Sequence, residues 1–115
     1  MEYAEIGIIG GSGFYDLEGL EDAHTVQLRT PFGAPSEKLM LGKLHGRSVA
    51  FLSRHGHGHR LNPSEVNYRA NLFAMKKLKV EHLISITAVG SLKEELKPGE
   101  LVIPDQYVDQ TFKRE

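Results

Sequence analysis

Apolar and polar positions along the chain predict a series of short strands interrupted by one long helix. Short apolar runs bounded by glycine or polar residues are typical of buried strands, and strict alternation is typical of strands with one buried face. Both patterns occur in this sequence. The predicted strands cover residues 6–9, 24–29, 37–44, 49–52, 82–86 and 101–103.

The predicted helix covers residues 63–79. Asn62 is placed to cap it, and Glu65 completes a capping box with Asn62. An apolar stripe at helical spacing consists of Val66, Ala70, Phe73 and Ala74. A strand, a helix of this length and a second strand form a βαβ unit, which requires the flanking strands to run parallel. The sequence therefore predicts the α/β class, with a mixed, largely parallel central sheet flanked by helices.

The composition narrows the class of protein. With 40% hydrophobic and 25% charged residues, the chain is typical of a globular protein, and we expect residues 1–115 to form part of one continuous domain. A net charge of −1 creates no field that would recruit nucleic acid or an anionic membrane, so neither is an expected partner. Cysteine is absent, which excludes disulfides and a cysteine nucleophile. The acidic first residues and the lack of an apolar run of about 20 residues indicate a cytoplasmic protein.

Three predicted buried strands are followed by small or hydrogen-bonding residues, at 10–13, 54–56 and 87–91. In open parallel sheets, ligands bind outside the carboxyl ends of the strands. We therefore expect these three segments to meet at one edge of the sheet.

The segment Gly10-Gly11-Ser12-Gly13 suits an anion, because glycine lets backbone amides converge and Ser12 adds a hydroxyl donor. It is not a dinucleotide fingerprint, since Asp16 stands where the third glycine or alanine should be. It also lacks the Gly-Lys-Ser/Thr ending of a nucleotide triphosphatase loop. Taken alone, the segment fits a plain turn as well as a binding site.

The other two segments add donors for the same kind of ligand. Arg54 offers a planar fork suited to phosphate oxygens, His55 can add a further bond, and Thr87 has a hydroxyl. An isolated arginine more often forms a surface ion pair, and residues 87–91 alone fit an ordinary turn. Together the three segments predict a site for a phosphate-sized anion.

Alternating histidines at His55, His57 and His59 raise the alternative of a metal site. No nearby carboxylate completes a ligand set, so we expect no metal. His57 and His59 are expected to line a polar cleft or to be solvated.

Six blocks of sequence, in this order and spacing, resemble the methylthioadenosine phosphorylases of the trimeric purine nucleoside phosphorylase superfamily. The resemblance covers nearly the whole chain. The blocks are GIIGGSG from Gly7, TPFGAPS from Thr30, SRHGH from Ser53, PSEVNYRAN from Pro63, TAVGS from Thr87 and PGELVIPDQ from Pro98.

The resemblance implies a nucleoside phosphorylase-like fold, a homotrimer and a role in purine salvage. It implies that inorganic phosphate cleaves a purine nucleoside to the free base and a sugar 1-phosphate, without a metal or organic cofactor. By position, the implied phosphate contacts are Ser12, Arg54, His55, Thr87 and Ala88. The implied wall beside the ribose and base consists of Ala88, Val89 and Gly90.

The same resemblance shows what the chain does not include. Family members are much longer, and their base-recognising acidic residues lie beyond the position of Glu115, so no catalytic acid is assigned here. We expect residues 1–115 to be the amino-terminal portion of a single phosphorylase domain, with activity in the complete protein. The alternatives left open are a phosphorylase for 6-oxopurine nucleosides and a non-catalytic phosphate-binding or assembly module.

Overall fold

The computed structural model describes residues 2–11 and 17–112, and in these residues five strands form one mixed sheet beside one helix. The sheet order is β2-β3-β4-β1-β5, which confirms the predicted mixed α/β architecture. The elements are β1 (Ile6–Gly10), β2 (Glu21–Val26), β3 (Leu39–Leu44), β4 (Arg47–Ser53), α1 (Tyr68–Lys77) and β5 (His82–Ile86).

The parallel part of the sheet is built around β1. This strand pairs in parallel with β4 on one side and with β5 on the other, so that Gly10 lies opposite both Ser53 and Ile86. The connection from β4 through α1 to β5 therefore crosses over β1. As the sequence predicts, three strands end together at one edge of the sheet.

The antiparallel part follows from a tight turn. Strands β3 and β4 are joined by His45 and Gly46, whose φ angles of 49° and 78° are the left-handed values that a two-residue hairpin turn requires. Strand β2 pairs antiparallel with β3 through an irregular register between Glu21 and His24. This strand occupies 21–26 in place of the predicted 24–29.

The main core lies between the sheet and α1. Leu52 of β4 and Ala74 of α1 have no exposed surface, and Ile9 of β1 packs in the same cluster. A Cβ on Gly7 would lie 2.8 Å from Met75 Sδ, so the missing side chain allows the helix to approach β1 closely. Burying a leucine-sized side chain in this way stabilises the fold by about 1.5–3 kcal/mol.

The opposite face of the sheet carries a second cluster formed by Ile8, Val49 and Phe51. Leu17 and Leu20 pack against it, whereas Ile84 of β5 remains 48% exposed. Among the residues that the structure describes, no helix is long and apolar enough to cross a membrane.

The helix starts later than its sequence pattern predicts. Asn62 does accept bonds from the amides of Ser64 and Glu65, both at 3.0 Å, but these close a single turn. The helical cap is Asn67, whose Oδ1 accepts from Ala70 N at 3.1 Å. Asn67 Nδ2 also donates to Phe32 O at 2.7 Å, a tertiary contact that fixes the cap at this position.

The predicted strand at 101–103 is wrong. In the described part, residues 87–112 contain neither helix nor strand. Leu101 and Ile103 are 98% and 96% exposed, so the apolar run finds no strand to pair with and no core to enter.

Candidate functional site

Two of the predicted phosphate contacts meet at the carboxyl edge of the parallel strands. Arg54, directly after β4, donates from Nη2 to Thr87 Oγ1, directly after β5, at 3.2 Å. Backbone hydrogen bonds hold the residues that follow these strands in place. Arg54 N donates to Gly10 O at 2.8 Å, and Gly11 N donates to Ile86 O at 2.7 Å. The sheet hydrogen bonding thus extends one residue beyond the strands and aligns the three segments.

Gly11 lies against the same pair. A Cβ at Gly11 would collide with the Arg54 guanidinium and would lie 3.0 Å from Thr87 Oγ1. The glycine therefore provides the space in which the guanidinium lies. We define the edge site as Gly11, Arg54 and Thr87. A planar fork and a hydroxyl in this arrangement can bind the oxygens of a tetrahedral anion.

His55 adjoins the edge site but is buried, with 4% of its surface exposed. Its Nδ1 lies 2.8 Å from Leu61 O, and because a carbonyl only accepts, Nδ1 carries the hydrogen. The ring stacks on His59 with centroids 4.3 Å apart.

The charge state of His55 follows from these surroundings. Burial lowers the pKa of His55 most, the bond to Leu61 opposes this, and the positive charge of Arg54 lowers the pKa further. The neutral ring therefore has its lone pair on Nε2, which can accept a hydrogen bond. His55 can bond to the hydroxyl of hydrogen phosphate in this form, whereas the predicted donation to a phosphate oxygen requires a second proton on the ring.

The remaining predicted site residues are placed differently. Ser12 lies outside the described residues. Ala88, Val89 and Gly90 follow β5 in an exposed segment, and Val89 is 82% exposed. All three residues are exposed in the described part of the chain.

Histidines 57 and 59 have separate surroundings. His57 N donates to Glu37 Oε2 at 3.0 Å, and the ring of His59 stacks on His55. Within residues 2–11 and 17–112, no group of three or more histidine, aspartate or glutamate side chains is arranged to hold a metal ion.

Ser53 begins one of the family-like sequence blocks, but nothing in the sequence shows that its hydroxyl is buried. Ser53, the last residue of β4 and the partner of Gly10, is 5% exposed, and its Oγ has no hydrogen-bond partner in the described part of the chain. A serine that ends a strand resembles any turn residue, so only the fold distinguishes this buried hydroxyl from a solvated one.

The sequence and the fold match a known family. Residues 5–115 match the family model described as the phosphorylase superfamily. The chain belongs to this superfamily.

Two curated members of the phosphorylase superfamily illustrate the similarity. The S-methyl-5'-thioadenosine phosphorylase of Koribacter versatilis is 60% identical over 111 residues, which cover 96% of this chain and 38% of the relative. The protein of the same name from Geobacter sulfurreducens is 58% identical over 106 residues, covering 92% and 37%. The chain thus spans well under half the length of these relatives.

Solved structures of the superfamily show the same fold. A methylthioadenosine phosphorylase from an antarctic soil metagenomic library superimposes with a TM-score of 0.90 at 53% identity, over 100% of this chain and 40% of the other. A mutant adenosine/methylthioadenosine phosphorylase from Schistosoma mansoni, in complex with methylthioadenosine, gives a TM-score of 0.89 at 45% identity, over 97% and 39%.

Proposed function

We propose that the whole protein catalyses phosphorolysis of S-methyl-5'-thioadenosine, giving adenine and 5-methylthioribose 1-phosphate. The observation that carries the proposal is the bond between Arg54 and Thr87 beside Gly11, at the edge where three parallel strands end. The high identity to relatives named S-methyl-5'-thioadenosine phosphorylase supports the choice of nucleoside.

In the proposed site, Arg54 and Thr87 turn from each other to the phosphate oxygens. Ser12 and Ala88 are proposed as further phosphate contacts, and Val89 and Gly90, with Ala88, as the wall beside ribose and base. This part of the proposal rests on the resemblance of their sequence blocks to the family.

The reaction requires phosphate to act as a nucleophile. A phosphate oxygen forms a bond to the anomeric carbon while the bond from that carbon to the purine nitrogen breaks. The electron pair leaves with the purine, which takes up the proton that hydrogen phosphate gives up. A transition state of oxocarbenium character is stabilised by the nearby negative charge of phosphate. One arginine, one neutral histidine and hydroxyls orient phosphate without fully neutralising it. By resemblance to the family, the proposed reaction uses no metal or organic cofactor.

The assembly and setting belong to the same proposal. We propose a homotrimer that acts in purine salvage in the cytoplasm. The apolar side chains exposed in residues 87–112, such as Leu92 and Leu101, support burial by further protein in the assembled enzyme.

The test is a product assay on the whole protein. With S-methyl-5'-thioadenosine, adenine should appear only when phosphate is present, together with one sugar 1-phosphate for each adenine. Release of hypoxanthine from inosine or methylthioinosine, with no adenine release, would replace the proposal with a 6-oxopurine phosphorylase. Adenine release that is independent of phosphate would reject phosphorolysis altogether.

A further inference from the structure

Glu37 links two parts of the chain that are distant in sequence. Its Oε2 accepts from the backbone amide of His57 at 3.0 Å, and its Oε1 accepts from Lys38 N at 3.0 Å. His57 lies three residues after Arg54, in the turn that also contains His55. The Glu37 carboxylate therefore holds the turn that follows the edge site.

Ser36 makes a second connection to this turn. Its carbonyl oxygen accepts from Arg60 Nη2. On the other side, Ser36 N donates to Asn71 Oδ1 at 2.9 Å and Asn71 Nδ2 donates to Ser36 Oγ at 3.0 Å. Ser36 and Asn71 are each 1% exposed, so these bonds are shielded from water. We call Ser36 and Glu37 the brace, because they connect α1 to residues 54–61.

Three residues of the turn at 54–61 adopt left-handed backbone conformations. Gly56, Gly58 and His59 have φ angles of 75°, 74° and 55°, and glycine loses more conformational freedom on ordering than any other residue. The bond from Glu37 reaches His57, between the two glycines. A Cβ at Gly56 would lie 3.1 Å from Ser36 O, so the turn and the brace are in close contact.

The charge state of Glu37 favours a strong contact. The bond from the His57 amide lowers the pKa of Glu37 most, followed by the bond from Lys38 N, and Arg60 lowers it further. An ionised carboxylate accepts stronger hydrogen bonds than a neutral group.

We propose that Glu37 is a positioning residue for phosphate: by holding the amide of His57 it fixes the turn from which Arg54 and His55 reach the anion. This inference rests on the proposed phosphorolysis. Glu37 itself does not contact phosphate. A carboxylate near an anion site should repel the anion, so electrostatics alone predicts that removing Glu37 tightens phosphate binding. If Glu37 positions the turn, removing Glu37 should instead weaken phosphate binding.

The test compares Glu37→Ala and Glu37→Gln in the whole protein. For Glu37→Ala we expect the phosphate KM, and the Kd for inorganic phosphate measured by calorimetry, to rise about tenfold, since small displacements of a binding group are costly. Glu37→Gln keeps an acceptor oxygen and should show a smaller rise. The nucleoside KM should stay within about twofold of the wild type.

Glu65→Ala is the matched control. Glu65 also accepts a backbone amide in an exposed turn, from Asn62 at 3.3 Å, but no described contact joins it to residues 54–61. This variant should leave the phosphate KM and Kd unchanged. If Glu37→Ala does not fold, Glu37→Gln and Glu37→Asp decide by the same measurements.

The outcomes distinguish a failure of the proposed role of Glu37 from a failure of the proposed phosphorolysis. If the wild type binds phosphate but releases no purine, the proposed function fails, and the phosphate Kd of the variants still decides the role of Glu37. If the wild type is active and Glu37→Ala leaves phosphate binding unchanged or tightens it, the proposed positioning role of Glu37 is wrong. An equal rise in both KM values also contradicts it. A wild type that binds no phosphate overturns both.

Discussion

The guanidinium of Arg54 lies in the space that any side chain larger than hydrogen would fill at Gly11. The two residues belong to different strand ends, 43 positions apart in sequence, and the parallel register of β1 and β4 brings them together. The edge site therefore depends on a glycine as much as on an arginine.

Gly11→Ala should weaken phosphate binding by displacing the guanidinium. We expect a rise in phosphate KM on the order of tenfold or more in the whole protein, with a smaller change in nucleoside KM. Gly46→Ala is the control, because Gly46 has a φ of 78° in open space at the β3–β4 turn. It should lower the melting temperature without changing phosphate KM. Equal phosphate KM values for Gly11→Ala and wild type would contradict the close packing.

Arg54 and Thr87 should act as a coupled pair. Thr87→Val removes the hydroxyl that accepts from Arg54 at 3.2 Å, and Arg54→Ala removes the donor. Each should raise phosphate KM, and the double variant should be less affected than the product of the two single effects, because the pair acts on one ligand. Steady-state kinetics on all four proteins measures the coupling. Strictly multiplicative effects would show that the two side chains act independently.

The buried pair of Asn71 and Ser36 should contribute strongly to stability. Asn71→Ala leaves Ser36 N and Oγ without their partners in a site from which water is excluded, at a cost of about 2–3 kcal/mol in the free energy of unfolding. Urea denaturation measures this cost. Substituting the exposed Leu72 with alanine should cost much less, and comparable losses at both positions would argue that Asn71 is not buried as described.

The helix start can be tested with its two candidate caps. Asn67→Ala should lower the unfolding free energy by about 1 kcal/mol or more, since it removes the helix cap and the bond to Phe32 O. Asn62→Ala opens only an exposed turn and should cost less. Circular dichroism during urea unfolding gives both values, and the reverse order would restore Asn62 as the cap.

The free energy of unfolding should fall at acid pH because His55 is buried in its neutral form. Burial holds the pKa of His55 below its ordinary value, so between those two values the unfolded chain binds a proton that the folded chain does not. The contribution of neutral His55 to the free energy of unfolding is fully present above about pH 6.5. It is lost as the pH falls through the lowered pKa of His55. His55→Gln should show a shallower decline between pH 7.5 and pH 5.

His24 should affect the pH dependence of stability in the opposite direction to His55, and it serves as a control. The side-chain bond to Glu2 raises the pKa of His24, with a smaller effect from the Asp22 carbonyl, so His24 favours the folded state at lower pH. Replacing His24 should steepen the acid decline. A His55→Gln profile identical to the wild type would contradict the buried neutral ring.

The sequence predicts the parts of this fold that depend on local pattern. β1, β4 and β5 follow from apolar runs, and the run 82–86 matches β5 residue for residue. The carboxyl ends of these strands meet at one edge because the β4–α1–β5 connection requires parallel strands. The sequence therefore predicts that Arg54 and Thr87 lie close together.

Features that depend on tertiary contacts were not predictable in the same way. Asn62 and Asn67 have equivalent capping chemistry, and only the contact with Phe32 O selects the second. Asn71 resembles a polar surface residue until Ser36 covers it, and Glu37 resembles an exposed charge until its bond to His57 is seen. The pattern at 101–103 indicates a strand, but a strand also needs a partner.

We expect above all that the edge site binds inorganic phosphate. Its most direct test is calorimetric titration of phosphate into the whole wild-type protein, the Arg54→Ala variant and an Arg47→Ala control, which removes an exposed guanidinium paired with Glu5 at 2.8 Å. We predict saturable binding to the wild type and the control, and a loss of at least about tenfold in affinity for Arg54→Ala. Unchanged phosphate affinity in Arg54→Ala would contradict the account.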